Sequence, residues 1–198
     1  MSTFIGTREE FTKMYSSYIS AICQDTGLFP GTVIAQAIIE SSGKYNGKWS
    51  VGGSGLSRKA NNYFGIKCGT GWKGRTFNAS TGEYTPGGDK YTTVSCFRAY
   101  NSVEDSIKDH LNFLQKNPRY KKNGVFNSKN VAEQAAALKR AGYATAPNYA
   151  ATIVSVYNSI KPFISEEKKK LSNKQIKLFA IPSIFLLIIY FLNKKKLL

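Results

Sequence analysis

The chain has 198 residues, 42% of them hydrophobic, enough for one domain with a real core and a short appendage. Lys and Arg outnumber Asp and Glu by 28 to 12, and the net charge of +16 suits either a solvated basic surface or a polyanionic partner such as nucleic acid, anionic lipid or anionic cell wall. The basic residues are scattered rather than gathered on one helix or arm, which argues against nucleic acid; one histidine and three cysteines without CxxC spacing argue against a zinc site or a Ser-His-Asp triad, and no metal or other cofactor is expected.

Thr7 and Glu10 make a capping box, and Phe11, Met14, Tyr15, Tyr18, Ile19 and Ile22 follow at helical spacing, so a first helix is expected to run to about Gly27. After Phe29-Pro30-Gly31, a second helix carries Val33, Ile34, Ala37 and Ile38 and is expected to stop at Gly43 in a left-handed cap. Residues 47–60 read as loop and 61–67 as a short ordered stretch. Between Trp72 and Tyr100 the helical period vanishes, and the turn signals Ser80-Thr81-Gly82 and Pro86-Gly87-Gly88 divide short stretches rich in Thr, Tyr, Phe and Val, predicting an antiparallel hairpin lobe. Helices resume at Ser102, at Ser128 and at Pro147, with apolar residues in step through Leu114, Leu138 and Ile160. The fold class is therefore α+β, mainly α, with one small antiparallel β-hairpin lobe. His110 falls in an apolar-periodic stretch and reads as structural. Free thiols are the expected state of Cys23, Cys68 and Cys96, with a Cys68–Cys96 bridge as the alternative.

The end of the chain differs in kind. Residues 165–177 form a charged linker, and 178–192 are apolar without a charge, followed by Asn193 and three lysines. As a helix this run is roughly 22 Å long against a hydrocarbon core of roughly 30 Å, a gap that snorkelling lysines or bilayer thinning can close. A membrane-embedded tail helix is expected, with an interfacial segment or a plug into a partner protein as alternatives. The first residues carry no basic start followed by an apolar run, so no ordinary secretion signal is expected.

Of twelve carboxylates, Glu9, Glu10, Glu104, Asp105, Asp109 and Glu133 fall at or near helix starts, where the helix dipole favours them. Asp25 ends a helix and Glu166 and Glu167 belong to the linker, which leaves Glu40, Glu83 and Asp89 without a structural task. Glu40 follows Ala35-Gln36-Ala37-Ile38-Ile39 on the most apolar helix of the domain. Burial there would raise its pKa, the property of a proton donor working near neutral pH, and a glutamate at a helix's carboxyl end gains nothing from the dipole.

At these residues the chain resembles glycoside hydrolase family 73, the glucosaminidase domains of autolysins, flagellar peptidoglycan hydrolases and phage lysins. Ala35-Gln36-Ala37-Ile38-Ile39-Glu40-Ser41 is similar to the family's AQAxxES segment, and the stretch from Leu56 to Lys67 to its LAxxANNLFGIK segment. Phe97-Arg98-Ala99-Tyr100, Asn117-Pro118-Arg119-Tyr120 and the run from Gly142 to Ala150 follow in family order, so the likeness covers about residues 4–164. It implies a lysozyme-like domain over 1–164, followed by the linker and the tail at 178–198. The implied activity is peptidoglycan hydrolysis by an endo-β-N-acetylglucosaminidase. Glu40 would be the acid, Glu83 on the β-lobe the second carboxylate, and Tyr143 would orient water or the acetamido group. Asn62, Phe64, Trp72, Tyr84, Tyr120 and Tyr149 would contact substrate. Competing readings are a lytic transglycosylase, which needs one carboxylate and leaves an anhydro product, and a non-catalytic wall-binding or virion module of the same fold. A phage lysin or virion component and a bacterial envelope enzyme both fit, and nothing in the sequence gives the oligomeric state. Two departures from the family pattern are a longer loop at 50–55 and Ala146 in place of a common aspartate.

Overall fold

The computed structural model describes residues 3–84 and 90–164, with side chains described outside 81–91. Helices α1 (Arg8–Ile22) and α2 (Pro30–Ser41) lead into a three-residue strand pair, β1 (Gly43–Tyr45) and β2 (Lys48–Ser50), and then the short helix α3 (Gly55–Ala60). The long hairpin β3 (Thr76–Tyr84) and β4 (Lys90–Arg98) follows, and then α4 (Val103–Lys116), α5 (Pro118–Lys122), α6 (Val131–Arg140) and a last helix, α7, at 149–164. The expected class, α+β and mainly α, is the observed one, but a second antiparallel pair, β1 with β2, stands beside the one expected hairpin.

The core is organised around α2, whose residues from Gly31 to Ile38 are all buried. The helices pack around it: α1 and α6 lie against α2, and α4 lies against α1. Its start is fastened by a side chain 105 residues away, because Gln134 Oε1 accepts from the Phe29 N–H at 2.9 Å while Gln134 Nε2 donates to the carbonyls of Gly27 and Val125. Gly31 lets α7 approach closely, since a Cβ there would stand 2.5 Å from the Tyr157 ring. At the other end α2 ends at Ser41, so its cap falls one residue before Gly43. Ser42 is its cap in extended backbone, and Gly43 instead opens β1, where a Cβ would meet the Ser54 backbone at 2.7 Å.

Several boundaries differ from expectation for local reasons. Helix α1 has the expected capping box but ends at Ile22, and turns fill 23–27 with Asp25 left-handed at φ 58°. Residues 47–60 are not all loop: β2 and α3 form there, with Ser54 capping α3 and Asn61 ending it at φ 49°. Ser80-Thr81-Gly82 does not turn the chain but continues β3, paired with Val94, Thr93 and Thr92. Asn130 rather than Ser128 caps α6, accepting from the Glu133 N–H at 2.8 Å.

Beneath the hairpin, the chain at 66–68 lies along the outer edge of β4, with Arg98 N donating to Ile66 O at 3.0 Å and Cys68 N to Cys96 O at 2.9 Å. A Cys68–Cys96 disulfide closes this edge, so the free-thiol expectation fails for these two residues, while Cys23 is a buried free thiol. No helix among the described residues is long and apolar enough to cross a membrane. The expected linker and tail helix, 165–198, lie outside the described residues.

Candidate active site

Glu40 sits in the last turn of α2, partly buried. Among the described residues no hydrogen bond or ion pair reaches its carboxyl group, and desolvation alone raises its pKa from 4.5 to about 7. One turn earlier on the same helix is Gln36, fully buried. Its Nε2 donates to Tyr149 Oη at 2.9 Å, and its Oε1 meets His110 Nε2 at 3.2 Å. His110 is also fully buried and stacks on Phe64, with ring centres 3.8 Å apart and planes 5° from parallel.

Tyr143 joins this group from the segment after α6. Its ring meets His110 edge-on at 5.7 Å, lies against Tyr149 at 5.7 Å and faces Tyr120 at 6.2 Å. Although the ring is partly exposed, its hydroxyl is sealed from solvent without a hydrogen-bond partner. Burial first, and then the charge of Glu40 among other neighbours, pushes the tyrosine pKa well above its usual value. Tyr149 is raised likewise, by burial and then by Glu40, against the opposing hydrogen bond from Gln36. Glu40 is thus close enough to both phenols for its charge to act on them. The assembly is a carboxyl group with a high proton affinity, backed by an aromatic wall that carries two neutral hydroxyls. Such a site can deliver a proton at neutral pH.

Four residues expected at substrate have other surroundings. Asn62 is 1% exposed, and its amide is used within the fold: Nδ2 donates to the carbonyls of Ile66 and Arg98 at 2.9 and 2.8 Å, while Oδ1 accepts from the Phe64 and Ile66 N–H groups. It pins the 62–66 loop to the foot of β4. Phe64 is covered by His110, and Tyr120 is fully buried with its hydroxyl accepting from Arg119 at 2.7 Å. Tyr149 has its ring in the core, so only its hydroxyl is left to act. These four do not present an open face on which a sugar could stack.

Trp72 keeps that option. It is half-buried, with Arg98 over its ring at 4.7 Å and its Nε1 donating to Arg75 O at 2.8 Å. It borders a cavity of about 430 Å³ shared with Tyr100, Asn101 and Asp109, which Glu40 and Tyr143 do not line. Glu83 and Tyr84 lie on β3 opposite Tyr91 and Lys90, but their side chains are outside the described residues. The pair that sequence reasoning passed over is Gln36 with His110. A lone amide within an apolar helix, one turn before a candidate acid, was the available signal. No metal-holding group of His, Cys, Asp or Glu occurs among the described residues.

Comparison with known proteins gives the family. The family model described as glucosaminidase, mannosyl-glycoprotein endo-beta-N-acetylglucosaminidase, matches residues 16–162. The chain is 32% identical over 162 residues to the peptidoglycan hydrolase FlgJ of Pseudomonas aeruginosa, covering 81% of this chain and 39% of that protein. It is also 32% identical over 155 residues to the exo-glucosaminidase LytG of Bacillus subtilis, covering 77% of this chain and 51% of that protein. The chain therefore spans two fifths to half the length of these relatives. Among solved structures, the catalytic domain of the autolysin Auto from Listeria monocytogenes superposes with a TM-score of 0.65 at 26% identity, over 81% of this chain and 88% of that one. A peptidoglycan hydrolase mutant from Sphingomonas sp. A1 gives 0.62 at 28% identity, over 80% and 99%. With residues 16–162 inside the matched span, this protein belongs to the glucosaminidase family of glycoside hydrolases.

Proposed function

We propose that the chain hydrolyses the glycan strand of peptidoglycan as an endo-β-N-acetylglucosaminidase, cutting between N-acetylglucosamine and N-acetylmuramic acid, with Glu40 as general acid. The observation that carries this is the Glu40 carboxyl itself: held by burial at a pKa of about 7 in the last turn of a buried helix, it keeps the proton that a leaving glycosidic oxygen needs. The relatives named as peptidoglycan hydrolases supply the substrate class. Glu83 is assigned the second acidic role, activating water unless the sugar's own acetamido group serves instead. Tyr143 is assigned to the acetamido group or water, and Trp72 and Tyr84 to sugar contact.

The test is digestion of purified peptidoglycan by the full chain and its Glu40→Gln variant, with products read by mass. Wild-type protein should release fragments ending in reducing N-acetylglucosamine, each heavier by one water than the products of a lyase. Glu40→Gln should cut turnover by roughly two to four orders of magnitude while binding to wall persists. Anhydro products, reducing muramic ends, or near-wild-type clearing by the variant would each overturn the assignment.

The domain reading goes with this function: 1–164 catalytic, 165–177 linker, and 178–198 a tail that holds the enzyme to a membrane near the wall. Its support is the uninterrupted apolar run at 178–192, at roughly 1.5 to 3 kcal/mol for each large side chain buried in lipid. Deleting 178–198 should release the chain from liposomes and leave cleavage of soluble glycan intact. Retained liposome binding, or lost cleavage, would show that the segment works otherwise.

A further inference from the structure

We propose that Gln36 and His110 are positioning residues that orient the hydroxyl proton of Tyr149 toward Glu40; the proposal rests on Glu40 as the acid. The argument is one of donor and acceptor counting in a closed space. Gln36 and His110 are both fully buried, so neither can exchange its partner for solvent. Gln36 Oε1 is only an acceptor, so the 3.2 Å contact with His110 Nε2 requires the imidazole to carry its hydrogen on Nε2. His110 Nδ1 is then a bare lone pair, and it is a buried atom without a hydrogen-bond partner.

With its oxygen taken by His110, the Gln36 amide can present only N–H to Tyr149, which it does at 2.9 Å. Tyr149 Oη is thereby obliged to accept, and its own proton must go elsewhere. Glu40, one helical turn from Gln36, is the carboxylate whose charge acts on Tyr149. The reversed arrangement, with the amide turned over and the imidazole hydrogen on Nδ1, would make Gln36 absorb the Tyr149 proton and leave nothing to offer. The two arrangements differ in their effect on Glu40 once it has given its proton away. In the observed one a phenolic O–H is available to stabilise the new carboxylate, and in the reversed one a phenolic oxygen faces it. Phe64 stacked on His110 and Tyr143 set edge-on against it hold the ring that decides between them.

The chain has a single histidine, which makes the imidazole readable without assignment. Nitrogen NMR of the full chain labelled at histidine should show a neutral ring with hydrogen on Nε2, unchanged down to about pH 5 because burial lowers its pKa to about 3. Hydrogen on Nδ1, or titration near the ordinary histidine value, would overturn the proposal whether or not the chain cleaves glycan. On soluble glycan oligomers, His110→Phe keeps the stacked ring and removes the donor, and should lower kcat about tenfold with KM little changed. His110→Gln, whose amide N–H reaches the Nε2 position, should recover most of that loss. Should His110→Phe fail to fold, Tyr149→Phe removes only the hydroxyl and should show the same fall in kcat. Wild-type kcat in either phenylalanine variant, or no recovery in His110→Gln, overturns the proposal, whereas failure of the function itself shows as wild-type protein that cleaves no glycan.

Discussion

The helix that carries Glu40 and the hairpin that carries Glu83 are stabilised by different physics. Helix α2 is buried along most of its length, is tied at its start by Gln134 and is covered by α1, α6 and α7, so its last turn is fixed by the packing of the whole body. The hairpin pairs nine residues with nine, yet on the described part of β4 only Phe97 at its foot is buried, and Val94 is 68% exposed. Its anchorage is gathered at its foot: backbone bonds from 66–68, one disulfide, the Asn62 amide, the Arg98–Asp109 ion pair at 2.8 Å and the packing of β3 on α3. A burial-tuned acid thus stands on the rigid part, and a second carboxylate stands on an arm held at one end. Such an arm can adjust to a polymer lying across the body, which a helix inside the core cannot.

The largest effect expected from this contrast is in the pH dependence of the body's acid. Activity should fall about tenfold per pH unit above the Glu40 pKa of about 7, because the proton to be donated is gone. The same shift has a consequence for stability. The folded state holds the proton more tightly than the unfolded chain, so this contribution is complete below the unfolded value of 4.5 and is lost as pH rises through about 7. Glu40→Gln should therefore be more stable than wild type at pH 8, by at most about 3 kcal/mol, and equal to it near pH 4. Urea unfolding at the two pH values checks this. A difference that stays flat between the two pH values would mean that Glu40 is solvated rather than buried, and a wild type that gains on the variant as pH rises would mean that a partner stabilises its carboxylate.

Breaking the hairpin's anchorage comes next. The Cys68–Cys96 bridge closes a 28-residue loop, and by chain entropy its removal costs about 3.5 kcal/mol if the loop opens with the fold. The contrast between arm and body predicts that less of this will register in global unfolding and more in the arm. In a Cys68→Ser, Cys96→Ser variant, amide exchange should accelerate across β3 and β4 while α2 keeps its protection. Uniform acceleration over both would show that the hairpin and the body unfold as one unit.

Asn62 joins the two regions, since its amide serves the 62–66 loop and the carbonyl of Arg98 at the foot of β4. Asn62→Ala leaves those buried groups without partners and should cost about 2 to 3 kcal/mol, measured by denaturant midpoint at unchanged slope. Loss of sugar binding with unchanged stability would return Asn62 to the substrate role that its family motif implies.

How much of this could be read in the sequence depended on how local the cause was. Helix α4 was legible because Ser102 and the period from Val103 to Leu114 lie in one stretch. The raised pKa of Glu40 was legible because it ends the most apolar helix of the domain, whose residues are buried along most of its length. Strands β1 and β2 were not, as three residues contain no period and the next one, Val51, is held by backbone bonds to Gly6, 45 positions earlier. Nor was the Gln36–His110 contact, which joins side chains 74 residues apart on α2 and α4. The cysteine pairing was visible only as one of two states, since it requires the edge of β4 and the 66–68 segment to meet.

The smallest expected effect concerns Ala146, where the sequence pointed to a helix cap just before Pro147. The structure moves the start of α7 to 149. The Thr152 N–H donates to Asn148 O at 2.9 Å as the first full helical bond, and the Tyr149 N–H donates to Ala146 O at 3.2 Å, closing a turn around Pro147. Residue 146 is thus the first position of a turn ahead of the helix, where aspartate is favoured because its carboxylate accepts from the backbone of the turn, but it is too early to cap α7. Ala146→Asp should accordingly stabilise the full chain by only about 0.5 kcal/mol, less than the roughly 1 kcal/mol of a true cap. Replacing Asn148 by alanine provides the comparison, because it stands immediately before the helix yet contributes its carbonyl, which alanine also has. Melting temperatures of the two variants decide the matter. A gain of a full cap's size from Ala146→Asp would mean that in solution α7 begins at Pro147, with Tyr149 in its first turn rather than at its first residue.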